Sequence, residues 1–116
     1  MDPKAPTLDQ IAVFLAIVET GSFAAAALRL GRATSVVSYA VANLERQLGV
    51  TLFTRAGRAK PVLTEAGRAI LADSRGMAIA LDGLLAKARG LTQGLEAEVA
   101  LVVDVMLPAK VLVRAL

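Results

Sequence analysis

Residues 13–55 read VFLAIVETGSFAAAALRLGRATSVVSYAVANLERQLGVTLFTR, and the punctuation of this stretch decides the fold. Gly21, Gly31 and Gly49 close three successive segments of helical pattern, because glycine tolerates the left-handed backbone that ends a helix. The first helix is predicted from about Leu8 to Thr20, with Thr7 as its N-cap. Its Ile11, Phe14, Leu15 and Val18 recur at helical spacing and give one buried stripe. Ser22 caps a second helix, about Phe23 to Leu30, whose inward face is Phe23, Ala26, Ala27 and Leu30. Its alanines let another helix cross closely. Only Arg32 and Ala33 separate it from a third helix over about Thr34 to Leu48.

That third helix has two faces. Val37, Val41, Leu44 and Leu48 form a core stripe. Ser35, Ser38, Tyr39 and Ala42 form a small, polar stripe without a carboxylate, flanked by arginines. Two short apolar or β-branched runs follow, Val50 to Thr54 and Pro61 to Leu63. They predict a hairpin whose basic tip is Arg55-Ala56-Gly57-Arg58, with glycine where positive φ is needed. Thr64 caps a long helix with Glu65 in its first turn, where the helix dipole favours negative charge.

The long helix is predicted to reach about Gln93, about 45 Å in all. Ile70, Ser74, Met77, Leu81, Leu84, Ala88, Leu91 and Leu95 alternate spacings of four and three, a heptad seam broken only by Ser74. Such a seam needs a partner helix, and self-association supplies one. Gly76, Gly83 and Gly90 recur every seventh residue. They are either an exposed row of no consequence or a groove for the close approach of another helix. Glu98 to Met106 reads as a buried strand and Pro108 to Leu116 as the start of a helix. The expectation is that the chain enters a second, α/β domain there. The domains read 1–64, 65–95 and 96–116.

Composition narrows the function. No cysteine or histidine occurs among the 116 residues, which excludes disulfides and thiolate sites and removes the commonest general base and zinc ligand. No catalytic constellation is present, so an enzyme is not expected. Mean hydropathy is +0.62, but alanine supplies much of it. A spanning helix needs roughly 20 predominantly apolar residues, and the best segment, Val99 to Leu116, is interrupted by Asp104, Pro108, Lys110 and Arg114. The N-terminus has no basic region followed by an apolar core. A soluble cytoplasmic protein without membrane contact is expected.

The net charge is +3, and its distribution is uneven. Arg29, Arg32, Arg46, Arg55, Arg58 and Lys60 lie between residues 29 and 60 against Glu45 alone, whereas the signs balance after Glu65. This is the footprint of a polyanion partner or an ordinary solvated face. Two short helices joined by a tight turn, the second with a polar face, followed by a basic hairpin, suit double-stranded DNA. The major groove admits one helix, and the hairpin lies along the backbone or reaches a minor groove.

The quoted stretch, with LTEAGRAIL after it, resembles the LysR-type transcriptional regulators over about residues 8 to 95. The resemblance is carried by Gly21-Ser22-Phe23, Ser38, Leu44-Glu45, Leu48-Gly49-Val50, Leu52-Phe53, Arg55 and Leu63-Thr64-Glu65-Ala66-Gly67. It implies a mainly α architecture: a winged helix-turn-helix followed by a long dimerisation linker helix. It also implies a sequence-specific regulator that binds an imperfect palindrome as a homodimer or, through paired dimers, a tetramer. No cofactor is implied for this stretch; a small-molecule effector would bind the domain that follows.

In the family, the recognition helix commonly begins Ser-Gln-Pro-Ala-Leu-Ser-Arg, where this chain has Ala33-Thr34-Ser35-Val36-Val37-Ser38-Tyr39. Ser38 matches. Thr34, Ser35 and Tyr39 replace the glutamine, proline and arginine, so the operator preference should differ from the common one. Ala33 removes the usual N-cap serine, leaving Thr34 as the alternative cap. The wing is longer than usual, so Arg55 is a better match than Arg58 or Lys60. The implied DNA-binding residues are Ser22, Thr34, Ser35, Ser38, Tyr39, Arg55, Arg58, Lys60 and Thr64. Those of dimerisation are Ile70, Met77, Leu81, Leu84, Ala88 and Leu91. Arg29 and Arg46 are expected as solvated charges. Two other readings fit the same residues: a helical interaction module using the seam alone, and another winged-helix regulator such as a molybdate-type one.

Overall fold

The computed structural model describes residues 5–54 and 60–104, with side chains as far as residue 94. Local chemistry sets the ends of the first three helices. Helix α1 (Leu8–Thr20) opens with a capping box: Thr7 Oγ1 accepts from the Gln10 N–H at 3.1 Å, and the Thr7 N–H donates to Gln10 Oε1 at 2.7 Å. Helix α2 (Phe23–Leu30) is capped by Ser22, whose Oγ accepts from Ala25 at 3.0 Å. Gly21, Gly31 and Gly49 all take positive φ at the helix ends. After α2 the Arg32 N–H reaches the Ala27 carbonyl at 2.9 Å, a closure that satisfies carbonyls the helix itself leaves free.

Helix α3 (Thr34–Leu48) departs from expectation at its start. Ala33 holds the N-cap position with φ −71° and ψ 148° and makes no side-chain cap. Thr34 is already the first helical residue, so it does not replace the missing serine as a cap. The core stripe is as expected: Val37, Val41 and Leu44 are fully buried.

The first unit, residues 1–78, is built around α1. A single buried stripe was expected there, but Val13, Ala16 and Ile17 are also buried. The helix is therefore covered over most of its circumference rather than along one side. Ala26 and Ala27 of α2 pack into the same core, as do Leu52, Phe53 and Leu71.

The hairpin is shorter than its sequence suggests, with β1 (Phe53–Thr54) antiparallel to β2 (Val62–Leu63) and Phe53 opposite Leu63. The reason lies in α3. The Val50 N–H turns back to the Glu45 carbonyl at 3.3 Å, and the Leu52 N–H donates to Glu45 Oε2 at 2.8 Å. Donors that a ladder would need are already committed. The hairpin tip, with Arg55 and Arg58, lies outside the described residues.

Helix α4 (Glu65–Asp104) begins at a dense node. The Thr64 hydroxyl accepts from the Gly67 N–H at 2.8 Å and donates to the Thr51 carbonyl at 2.5 Å, while the Thr64 N–H donates to the Leu52 carbonyl at 2.9 Å. Ser74, the one polar member of the seam, is buried in this unit, and Ile70 packs against the core. Leu8, Ile11, Leu48, Ile70, Ser74 and Met77 line an open, mainly apolar groove of about 480 Å³.

The second unit is residues 79–116. Its helical part is solvent-facing: Leu84, Ala88 and Leu91 are exposed and Leu81 is half-buried. The strand expected from Glu98 is not formed, because residues 98–104 continue α4. A short apolar run does not by itself distinguish strand from helix. The helix pairs its backbone groups locally, whereas one strand without neighbours pairs none. Residues 105–116 lie outside the described residues.

Candidate nucleic-acid interface

With Val37, Val41 and Leu44 directed inward, helix periodicity turns Ser35 and Tyr39 to the opposite side of α3. Both are exposed, as is Thr34, while Ser38 and Ala42 are half-buried at the edge. Tyr39 is 66% exposed and Val36, beside it, 49%. Val36 falls outside the i, i+3, i+4, i+7 stripe of Ser35, Ser38, Tyr39 and Ala42. Its position three residues before Tyr39, off the core stripe, is the signal that finds it. Glu45, the only carboxylate on α3, is engaged with the backbone of Leu52 and with that of Phe53 at 3.4 Å.

The other expected contacts are placed less uniformly. Ser22 and Thr64 are both helix caps through their hydroxyls, so each holds a helix N-terminus, where backbone N–H groups and the dipole favour anions. Lys60 is exposed at the hairpin. Arg55 and Arg58 lie outside the described residues.

The basic run between residues 29 and 60 is partly neutralised by the fold. Arg29 Nη1 meets Glu19 Oε1 at 2.6 Å. Arg32 grips Asp9 with two bonds, Nη1 to Oδ2 at 2.9 Å and Nη2 to Oδ1 at 2.8 Å. Arg46 Nη2 donates to Asn43 Oδ1 at 2.6 Å. Arg29 and Arg46, expected as solvated charges, are exposed and also tied within the protein, and Arg32 is tied likewise.

The bonds from Arg32 hold the Asp9 carboxyl below its usual range, outweighing partial burial, which acts the other way; the attraction of the nearby positive charge adds to the lowering. A carboxyl lowered in the folded state stabilises fully above its unfolded value, about 3.9. That contribution disappears as pH falls through the lowered folded value. Both side chains are substantially exposed, so solvent screening keeps the effect small. Asp9→Asn is expected to remove this part of the acid-side loss. Urea midpoints against pH for both proteins check it, and superimposable profiles would show that the pair contributes nothing.

Comparison with known proteins agrees with this geometry. Residues 8–68 match the family model described as bacterial regulatory helix-turn-helix protein, lysR family. The HTH-type transcriptional regulator AceR of Acinetobacter baumannii is 40% identical over 95 residues, covering 82% of this chain and 32% of AceR. The probable HTH-type transcriptional regulator YhaJ of Escherichia coli K12 is 39% identical over 105 residues, covering 90% and 35%. The chain spans about a third of the length of these curated relatives. Among solved structures, the CbnR DNA-binding domain in complex with DNA superposes with a TM-score of 0.67 at 32% identity, covering 74% of this chain and 98% of that one. The BenM DNA-binding domain with benA site 1 DNA gives 0.69 at 27% identity, covering 74% and 96%.

Proposed function

The chain belongs to the LysR family of bacterial transcriptional regulators and carries its DNA-binding domain; from this we propose that it lays the amino-terminal half of α3 in a major groove and binds an imperfect palindrome as a dimer. The carrying observation is the exposed, carboxylate-free face of Thr34, Ser35 and Tyr39, with Ser38 at its edge. Ser22 and Thr64 bring helix N-termini to phosphates, and Arg55, Arg58 and Lys60 of the wing follow the backbone or enter the minor groove.

A palindrome follows from two-fold symmetry. The exposed Met77, Leu84, Ala88 and Leu91, with half-buried Leu81 and Ile70, favour pairing through the linker helix, and pairs of dimers give the tetramer. This exposure alone would equally serve a module that only binds protein, but the α3 face favours the DNA reading. We place the DNA-binding domain at residues 1–64, the dimerisation linker at 65–95 and the start of an effector-binding domain at 96–116; α4 itself continues to Asp104. That domain would take a small-molecule effector, and no cofactor is proposed for residues 1–95. Among the described residues no helix is long and apolar enough to cross a membrane, which is compatible with work in the cytoplasm.

The test is a mobility shift on labelled DNA flanking the protein's own gene. Binding at low salt is expected, falling steeply as salt rises. Arg55→Ala and Tyr39→Ala should each weaken it, the former by roughly tenfold for loss of a charged hydrogen bond. A folded dimer that shifts no DNA at low salt overturns the reading.

A further inference from the structure

Over roughly its first two and a half turns, residues 34–42, the outer face of α3 lacks every side chain that grips a base edge with two hydrogen bonds. Arginine and lysine do so with guanine, asparagine and glutamine with adenine. Residues 34–42 read TSVVSYAVA and contain none of them. The first such groups, Asn43 and Arg46, lie beyond the second turn and are bonded to one another. Arg29 and Arg32, which precede α3, are held by Glu19 and Asp9. Beside its hydroxyls, the face offers apolar surface. Val36 and Tyr39 are three residues apart, hence neighbours on the helix surface, and both are largely exposed. In a major groove, the apolar group that a base pair presents is the 5-methyl of thymine.

We propose that this protein selects its operator chiefly through thymine methyl groups, packed against Val36 and the ring of Tyr39, with the Thr34 and Ser35 hydroxyls adding single hydrogen bonds. The proposal rests on α3 lying in the major groove, as argued above. It differs from that reading in naming what is read: a hydrocarbon contour of the groove rather than a pattern of donors and acceptors.

Deoxyuridine isolates the effect, since it keeps every hydrogen-bonding group of thymidine and lacks only the methyl. A preferred duplex is first enriched with the full chain from a randomised library. Each thymidine is then replaced in turn. Affinity is expected to fall about fourfold for each contacted methyl, the burial of one such group. Val36→Ala and Tyr39→Ala should each abolish the sensitivity at one thymine in a double-mutant cycle, while Tyr39→Phe keeps it. An enriched duplex that tolerates uracil at every position overturns this proposal and leaves groove docking intact. Sensitivity that neither alanine variant alters also overturns it. If the folded protein enriches no sequence, groove docking itself fails, and the proposal with it.

Discussion

Replacing Phe53 with alanine is expected to cost about 3–5 kcal/mol of folding free energy, enough to remove most of the stability of a small domain. The ring is 1% exposed. Its centroid lies 5.5 Å from that of Phe14 on α1 and 5.8 Å from that of Phe23 on α2, both tilted rather than stacked. These three are all the phenylalanines of the chain, so its aromatic core is one cluster, and Phe53 is the member brought by the hairpin. Truncation leaves a cavity and also frees β1 from the helices. Phe53→Leu, which preserves most of the volume, should cost less than about 1.5 kcal/mol. Urea unfolding monitored by circular dichroism measures both. A loss below about 1 kcal/mol for alanine would mean that the cluster collapses around the gap, the main source of spread in such costs.

Gly67→Ala is expected to be the most damaging of the conservative changes in α4, although alanine is the better helix former. A Cβ built at Gly67 would sit 2.2 Å from the Leu52 carbonyl oxygen and 2.9 Å from Leu63 Cδ2. The first is backbone, already engaged by Thr64, and cannot swing away as a side-chain end would. Overpacking of this kind costs about 1–3 kcal/mol, occasionally more, which exceeds the gain of about 1 kcal/mol from helix propensity. The same substitution at Gly76, Gly83 or Gly90 meets nothing within 4 Å. There the propensity gain stands alone, and stability should rise by up to about 1 kcal/mol per site. Opposite shifts in thermal midpoint for Gly67→Ala and Gly83→Ala would establish the contrast. Dimer affinity of the triple alanine variant then separates an unused glycine row from a helix groove, since only the groove is weakened.

The helical part of the fold was legible because its signals are local. Caps, glycines and apolar spacing all act within a few residues; α1 and α2 begin and end where those signals lie, and α3 ends at its glycine though it starts without a side-chain cap. What escaped depends on distant partners. The Arg29 and Arg32 pairs join residues ten and twenty-three apart, so a charge count along the chain overstated the basic surface. The hairpin shrank because Glu45 reaches Leu52 across the turn. The run after Glu98 has β-branched residues but no neighbouring strand among the described residues, and it stays helical to Asp104. On α3 the polar positions were visible and Val36 was not, since an apolar residue is ordinarily assigned to the core before its angle around the helix is considered.

The node at Thr64 has a mechanical consequence. Its hydroxyl and amide bind the carbonyls of Thr51 and Leu52 at the foot of the hairpin and, in the same few ångströms, the first turn of α4. Gly67 lets the two backbones touch there without a spacer. Among the described residues the first coil of α4 and the foot of the hairpin are joined directly, by backbone and hydroxyl bonds, with no intervening loop. The two strands are thus pinned to the start of the helix, and where that first turn goes the foot of the hairpin goes with it.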